Sequence, residues 1–293
     1  MSWRKNRYNK SSSKKLGWLP SWFGGNDFNE RLINLVKDFQ AAHGLEEDGL
    51  VGPMTYRRIT TQREVQNETS FESGIICNGE PVSINWKNIR HDFLPSSCYK
   101  TYRRERIPSL IITHWDVCLS ANSCRRVLEK RGISSHFVID NDGAIVQLAD
   151  TNHACWHAGK RRVNNASIGI DFSNAYYLKY QNTYEKKGFG TRPIIKDARC
   201  HGVKLKPFLG YYPIQIEAYK ALVGALCSHY GIPLAYPQNN DGELITGVHS
   251  PVTYGKFKGV ACHYHVTRKK IDTAGLQLDN IIKDLKDLRG QII

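Results

Sequence analysis

The stretch "SHFVIDNDGAIVQLAD", residues 135–150, decides the fold of the larger part of this chain. Two short apolar runs flank Asn141-Asp142-Gly143, and an Asn/Asp-Gly turn between such runs is a strong local signal for a β-hairpin. We therefore expect two antiparallel strands joined at Gly143. The segments on either side can be assigned around this hairpin.

Two further apolar segments predict strands. They read "SLIITHWD" from residue 109 and "ASIGIDF" from residue 166. Side chains alternate between the two faces of a strand. His114 therefore shares a face with Leu110, and Asp171 shares a face with Gly169, opposite the isoleucines of its strand.

Three segments have helical spacing of apolar residues. "ANSCRRVLEKRG" and "IQIEAYKALVGALCSHYG" end at Gly132 and Gly231, and "LQLDNIIKDLKDL" places its leucines and isoleucines on one face. Strands mixed with flanking helices are typical of an α/β domain with a central mixed β-sheet between helices. A small N-terminal helical domain precedes it.

The domain boundaries follow changes in composition. Residues 1–27 are interpreted as a basic, flexible arm and residues 28–61 as a compact helical module. Residues 62–105 are polar, with little periodicity, and are interpreted as a linker. The α/β domain is assigned to residues 106–293, with an unassigned insertion at 173–212.

Bulk composition limits the classes of function. With 41 basic and 27 acidic residues in 293, the net charge is +14, which favours a polyanionic partner. No apolar run is long enough to span a bilayer, so stable membrane insertion is not expected. The N-terminus lacks the apolar core of a signal peptide. The eight dispersed cysteines are interpreted as reduced thiols.

Three residues form a candidate metal site. A catalytic zinc takes three protein ligands and leaves a fourth position for water. His114 from one strand, with His263 and Asp272 from "CHYHVTRKKID", would supply this set. The alternatives are a structural histidine at 114, a solvated basic loop around His263, and a helix N-cap at Asp272.

Two other polar residues could complete a hydrolytic site. Asp171 could act as general base, and Lys270 could stabilise a developing oxyanion. The candidate substrate wall contains aromatic and hydrogen-bonding side chains that could stack on sugar or contact peptide, namely Trp115, His136, Trp156, His157 and Asn165. A packed aromatic loop is the alternative for residues 152–160.

Four blocks in this order resemble the zinc-dependent N-acetylmuramoyl-L-alanine amidases found in phage lysins, bacterial muropeptide amidases and animal peptidoglycan-recognition proteins. They are "ITHWD", "SSHFVIDNDGAIVQ", "WHAGKRRVNNASIGID" and "CHYHVTRKKID". The resemblance implies that His114, His263 and Asp272 bind Zn²⁺, that Lys270 is the catalytic lysine, and that Asp171 takes the place of the family's acid.

The chain departs from that pattern at several positions. Asp171 is one methylene shorter than the glutamate of many relatives, and Ser135 replaces a tyrosine that other relatives carry. His265 and His249 remain alternatives to His263 as second ligand. The N-terminal "VKDFQAAHGLEEDGLVGPMTYRRI" is similar to part of a peptidoglycan-binding helical domain.

The resemblance implies a peptidoglycan hydrolase that cleaves the amide between N-acetylmuramic acid and L-alanine. The alternative is an inactive muropeptide-binding protein. We expect bacterial peptidoglycan as partner, no nucleic acid, and a monomer. The basic arm could concentrate the protein on an anionic wall or merely keep it soluble. A phage endolysin, made in the host cytoplasm without a signal peptide and acting on the cell wall, is the expected context.

Overall fold

The computed structural model describes residues 2–59, 74–102 and 104–290. The chain divides into two compact units. The smaller contains Met1–Phe71 together with Lys179–Arg192, and the larger contains Glu72–Leu178 and Pro193–Ile293.

The helices and strands of the described residues are numbered in chain order. The helices are α1 Ser2–Leu16, α2 Glu30–Ala42, α3 residues 53–59, α4 Ala121–Arg131, α5 Arg161–Ala166, α6 Gln181–Lys186, α7 Pro213–Tyr230, α8 Ser250–Thr253 and α9 Leu278–Gly290. Short 3-10 helices cover Pro20–Phe23, Ser96–Cys98, Leu178–Tyr180 and His263–His265. The strands are β1 Gly74–Cys77, β2 Glu80–Ser83, β3 Ile89–His91, β4 Tyr99–Lys100, β5 Leu110–Trp115, β6 Phe137–Ile139, β7 Ile145–Gln147, β8 Ala154–Cys155, β9 Ser167–Phe172, β10 Ile194–Ile195, β11 Arg199–Cys200, β12 Val203–Lys204, β13 Phe208–Leu209 and β14 Gly259–Cys262.

A six-stranded mixed sheet forms the centre of the larger unit. Its order is β14-β5-β9-β6-β7-β3, and every neighbouring pair is parallel except β6 and β7. These two strands form the predicted hairpin, with Gly143 at φ 77° in its turn. Because β6 and β7 are antiparallel within an otherwise parallel sheet, the hairpin makes the sheet mixed, as expected.

Apolar side chains cover both faces of this sheet. On one face, Ile168, Ile170 and Phe172 of β9 pack with residues of α7 and α9 in the main core. On the other face, Val138 and Val146 pack with α4 in a smaller cluster. The sheet therefore lies between helices, and the α/β architecture predicted from the sequence is confirmed.

Local sequence explains where the predicted helices begin and end. The Ser120 hydroxyl caps α4 by accepting a hydrogen bond from the Ser123 amide, and the Ser123 hydroxyl accepts one from the Ser120 amide. Gly132 and Gly231 follow α4 and α7 with φ 60° and 64°, a left-handed conformation that glycine adopts without a Cβ clash.

Part of the segment interpreted as a linker belongs to the larger unit. β1 pairs with β2, and β3 is the edge strand beside β7. Ile75 and Cys77 are buried in the main core. The sequence did not reveal these strands because each has only three or four residues, too few to show a period. Residues 62–73 of the predicted linker lie outside the described part of the chain.

The N-terminal arm is a helix rather than a mobile segment. In α1, Asn9 and Ser12 are buried against the turn at residues 49–51. The side chain of Asn9 donates to the Gly49 carbonyl at 3.0 Å and accepts from the Val51 amide at 2.9 Å. Because its buried stripe is polar, α1 lacks the apolar periodicity by which amphipathic helices are recognised.

Gln40 of "FQ" and Asp48-Gly49 of "DG" in the helical module are joined by hydrogen bonds. Gln40, buried in α2, donates to the Asp48 carboxylate at 2.8 Å and accepts from the Gly49 amide at 2.8 Å. Gly49 has φ 71°, and a Cβ there would lie 2.7 Å from the side chain of Ile33. This network holds the turn on which Asn9 also docks.

The unassigned insertion contributes to both units. Lys179–Arg192, which contains α6, groups with the N-terminal residues, and Tyr184 is fully buried there. The guanidinium of Arg57 lies 5.8 Å from the centre of the Phe189 ring. The rest of the insertion, with β10 to β13, belongs to the larger unit.

Among the described residues, none of the helices combines the length and the apolar character that crossing a membrane requires.

Candidate functional site

Adjacent parallel strands bring the predicted site residues to one edge of the sheet. β5 lies between β14 and β9, and His114 near its carboxyl end is in register with Asp171 of β9. β14 ends at Cys262, so His263 follows directly at the same edge. In open α/β sheets, ligands bind at this carboxyl edge of the strands.

Three polar atoms converge there. The Nδ1 atoms of His114 and His263 are 2.9 Å apart. The Oδ2 atom of Asp272 is 3.2 Å from the first nitrogen and 2.9 Å from the second. All three side chains are buried, with 4%, 5% and 7% of their surfaces exposed.

This donor set fits a zinc ion. Two imidazole nitrogens and one carboxylate oxygen are ordinary zinc ligands, and ligands at about 2.0–2.1 Å in tetrahedral geometry lie roughly 3.3 Å from one another. The observed separations are close to that value. Hydrogen bonds alone satisfy these three atoms poorly, because two ring nitrogens that face each other can share only one hydrogen.

A hydrogen-bond chain behind His114 sets its tautomer. The Ser167 hydroxyl donates to the Val163 carbonyl at 2.7 Å, so its oxygen accepts from His157 Nε2 at 3.2 Å. Nδ1 of neutral His157 then accepts from His114 Nε2 at 2.9 Å. The Nδ1 atom of His114 is therefore left with a free lone pair that faces the other two donor atoms, as a metal ligand requires.

Burial and neighbouring charges act in opposite directions on the two acids. Burial is the largest effect on Asp171 and raises the pKa of its carboxyl, against the influence of His114 and the Ser135 hydroxyl. Burial also disfavours ionised Asp272, but its close contacts with the imidazoles of His114 and His263 outweigh burial and lower the pKa of this carboxyl. Asp272 is therefore held as a carboxylate, as a metal ligand must be.

The site lies at the bottom of a cleft of about 230 Å³. Asp171 and Lys270 both line it, together with the three metal-facing residues. Lys270 is exposed, and its positive charge acts on Asp171 and His263. The cleft can therefore hold a polar substrate bond between a buried acid and an exposed cation.

The two alternative second ligands lie elsewhere. Both ring nitrogens of His265 are used, because Nδ1 accepts from the Cys262 amide at 2.9 Å and Nε2 donates to the Ile245 carbonyl at 2.7 Å. Burial lowers the pKa of His265 to about 3. His249 does not join the group of three. The geometry places His263 with the other two donors.

The predicted substrate wall is only partly at the cleft. Trp156 is 41% exposed and lines the cleft, whereas Trp115, although a lining residue, is 7% exposed and packs on Tyr176 and Phe208. His157 lines the cleft and holds His114.

The expectation that His136 contacts substrate is wrong. It is fully buried, and its ring bonds the His153 carbonyl and the Gly169 amide. His136 directly precedes the hairpin strand β6, and these two bonds hold its ring inside the larger unit.

Asn165 lies in a neighbouring open cleft. This second cleft has a volume of about 690 Å³ and shares Trp156 with the first. Asn165 accepts a hydrogen bond from the Tyr102 hydroxyl at 3.0 Å, and Lys100 and Arg161 supply positive charge. Trp156 therefore stands between the metal-facing donors and a basic groove suited to an acidic or polar chain.

A second group of possible donors lies near the first, at Asp116, Cys118 and Cys124. The Asp116 carboxylate already accepts from the amides of Cys118 and Asn174 and from the Ser173 hydroxyl. Its oxygens are thus occupied, and we assign no metal to this group.

Sequence reasoning missed Ser167 and Gly169 as supports of the site. A Cβ on Gly169 would lie 2.8 Å from the His157 ring and 2.9 Å from the Ser135 hydroxyl. Both residues lie in "SIGID", on the face of the strand that carries Asp171. Their small size on that face is the signal by which the sequence could have revealed them.

Several solved structures are similar to this chain. A selenomethionine derivative of AmpD is 18% identical and has a TM-score of 0.39, with coverage of 70% of this chain and 99% of that one. A mutant endolysin from Bacillus subtilis is 18% identical with a TM-score of 0.40, covering 68% and 98%. The endolysin N-acetylmuramoyl-L-alanine amidase LysCS from Clostridium intestinale is 16% identical with a TM-score of 0.42, covering 68% and 95%.

No curated protein matches the chain. The sequence pattern that defines a family described as N-acetylmuramoyl-L-alanine amidase matches residues 103–274, which is more than half of the chain and includes every residue of the metal-facing group. The chain belongs to the N-acetylmuramoyl-L-alanine amidase family.

Proposed function

We propose that this protein is a zinc-dependent peptidoglycan hydrolase that cleaves the amide between N-acetylmuramic acid and L-alanine. The observation that carries the proposal is the convergence of His114, His263 and Asp272 at the bottom of a cleft that also contains Asp171 and Lys270. Family membership supplies the reaction class.

The residues of the cleft have distinct roles in this proposal. A zinc ion held by the three donors would lower the pKa of water to about 7 and polarise the substrate carbonyl. Asp171, whose pKa is raised by burial, is suited to take a proton from water and return it to the departing amine. Lys270 offers a cation to the oxygen on which negative charge develops.

Substrate recognition is assigned to the surfaces around Trp156. Its exposed ring can stack on a sugar or peptide plane, and the groove with Lys100 and Arg161 suits carboxylates of the stem peptide. All these residues come from one chain, so we propose that a monomer is sufficient. The helical module at residues 28–61 is proposed to bind peptidoglycan, as its resemblance implies.

We also propose that the protein acts in host lysis. A wall-degrading amidase joined to a wall-binding module suits a phage endolysin that is made in the host cytoplasm and acts on the wall. The alternative is a protein of the same fold that binds muropeptides without hydrolysing them. The presence of the third donor, Asp272, favours the hydrolase.

Mass spectrometry of digested sacculi tests the proposal. Purified sacculi should release free stem peptides beginning with L-alanine, and a chelator should abolish this release until zinc is restored. His114→Ala should lose both activity and bound zinc. Full hydrolysis by a zinc-free variant would refute the mechanism, whereas intact sacculi that retain the protein would favour the binding-only alternative.

A further inference from the structure

Helix α1 concentrates positive charge, and none of the residues proposed for hydrolysis lies in it. Residues 2–16 contain six basic residues and no acidic one. Two of them, Arg4 and Lys5, lie in the first turn, where the helix dipole disfavours cations. Lys14 and Lys15 in the last turn do suit the helix dipole, so helix stability accounts for only part of this charge pattern.

The buried contacts of α1 set which residues face outward. Asn9 and Ser12 dock on the turn at 49–51, and Lys5 donates to the Asp48 carbonyl at 2.7 Å. The opposite side carries the other five basic residues, all exposed, at Arg4, Arg7, Lys10, Lys14 and Lys15. At 1.5 Å per residue, the basic face from Arg4 to Lys15 extends about 17 Å.

The cations of the basic face are available to a ligand. Within the described residues, none of the five is paired with a carboxylate. Trp3 is 61% exposed beside them, and the Arg4 guanidinium lies 5.6 Å from the centre of its ring. A row of cations with an exposed aromatic ring matches a polymer that alternates anionic groups with sugar or polyol units.

We propose that the basic face of α1 binds the phosphodiester-linked anionic polymer of a bacterial wall. This inference rests on the proposed function, because a wall hydrolase meets such polymers around its substrate. Charge complementarity carries it, since phosphates are strong acceptors for arginine and lysine. A membrane surface fits less well, because α1 has no apolar face to insert and its inward side is polar.

Binding to two preparations of the same sacculi tests this inference. One keeps its phosphodiester polymers and the other is stripped of them with hydrofluoric acid. The full chain is compared with Arg4→Gln/Arg7→Gln/Lys14→Gln, in the presence of a chelator so that hydrolysis does not matter. A matched control, Lys130→Gln/Lys283→Gln/Lys286→Gln, removes the same charge from exposed positions of the larger unit.

The helix variant should bind unstripped sacculi at least about 10-fold more weakly at low salt, and its slope of log affinity against log salt should fall by about 2. The control should bind like the unaltered chain, and stripped sacculi should not distinguish the three proteins. Equal binding by the helix variant and the unaltered chain, or an equal loss on stripped sacculi, would overturn the inference.

Binding to two other polyanions tests whether the basic face prefers the wall polymer. Vesicles with phosphatidylglycerol and a DNA duplex should each bind the full chain more weakly than unstripped sacculi do, and tighter binding to either would assign the basic face to that ligand instead. Release of L-alanyl peptides from a soluble muropeptide should be equal in the helix variant and the control. If that release fails in every protein while the binding difference persists, the proposed hydrolase is wrong and the docking surface remains.

Discussion

The orientation of His114 depends on side chains that are not themselves metal-facing donors. Its Nε2 hydrogen is taken up by His157, whose orientation depends in turn on the Ser167 hydroxyl. The sequence pattern therefore shows the three donor residues but not the side chains that orient them. A chain of hydrogen bonds also fixes which nitrogen of His114 carries a lone pair towards the proposed metal.

Ser167→Ala should weaken zinc binding. The substitution removes the acceptor for His157 Nε2, so His157 can turn and present a hydrogen to His114. Loss of such supports typically costs about 10–100-fold in metal affinity or activity. Competition with a zinc chelator measures the affinity. Thr113→Val, which removes a buried hydroxyl bonded to Tyr219 beside His114, is the control and should leave zinc affinity within a few-fold.

Because Ser167 is fully buried, it cannot touch substrate directly. Zinc affinity and hydrolysis should therefore fall together in Ser167→Ala, and excess zinc should restore hydrolysis. Unchanged zinc affinity in this variant would show that the hydrogen-bond chain does not set the tautomer of His114.

At the scale of elements, β9 must approach its neighbours closely. A Cβ on Gly169 would push against the His157 ring and the Ser135 hydroxyl. Gly169→Ala should destabilise the larger unit by about 1–3 kcal/mol, the usual cost of overpacking, and lower zinc affinity as His157 moves. Thermal unfolding and zinc titration measure the two effects.

Gly224→Ala is the matched control for that prediction. Among the described residues, a Cβ at this position in α7 would meet one Leu285 atom, at an ordinary 3.4 Å, and alanine favours a helix over glycine. Its melting temperature should be unchanged or higher. If Gly169→Ala and Gly224→Ala had the same effect on melting temperature and zinc affinity, there would be more space around Gly169 than the geometry indicates.

In the smaller unit, Gln40→Ala should loosen the turn at 48–50. The substitution leaves the Gly49 amide without its partner and removes the bond to Asp48, which together should cost about 1–3 kcal/mol. Hydrogen exchange at the amides of residues 49–51 reports the effect. Asn34→Ala, at an exposed position of the same helix, should leave that exchange unchanged, and fast exchange in both variants would contradict this reading.

Elements with a clear hydrophobic pattern or turn signal could be predicted from the sequence. Elements held by a few polar side-chain contacts could not. The strand with Asp171 has enough residues to show alternation, and the hairpin at Gly143 is marked by its Asn-Asp-Gly turn between two apolar runs. The helix α1 docks through two polar side chains, Asn9 and Ser12, and such contacts leave no hydrophobic pattern. The metal-facing residues could be found because their types and order are specific, whereas the burial of His136 depends on tertiary packing.

At the scale of the whole molecule, the larger unit begins earlier than composition indicates. The Gln147 side chain bonds both the amide and the carbonyl of Ile76 at 2.7 Å. The Trp86 indole donates to the Gly143 carbonyl at 2.7 Å, at the tip of the hairpin. A fragment that starts at residue 106 would therefore leave buried polar groups of the central hairpin unpaired.

We accordingly expect fragment 106–293 to be unfolded or aggregated and fragment 74–293 to unfold cooperatively. Ile75 is fully buried, and loss of one such side chain costs about 2–5 kcal/mol against a typical net stability of about 5–15 kcal/mol. Deleting β1, β2 and β3 also removes the buried Cys77 and an edge strand of the central sheet. Circular dichroism during heating, with zinc present for both fragments, distinguishes the two. Equal melting temperatures would show that residues 74–105 are dispensable, as the composition of that segment indicates, and would move the boundary of the larger unit back to residue 106.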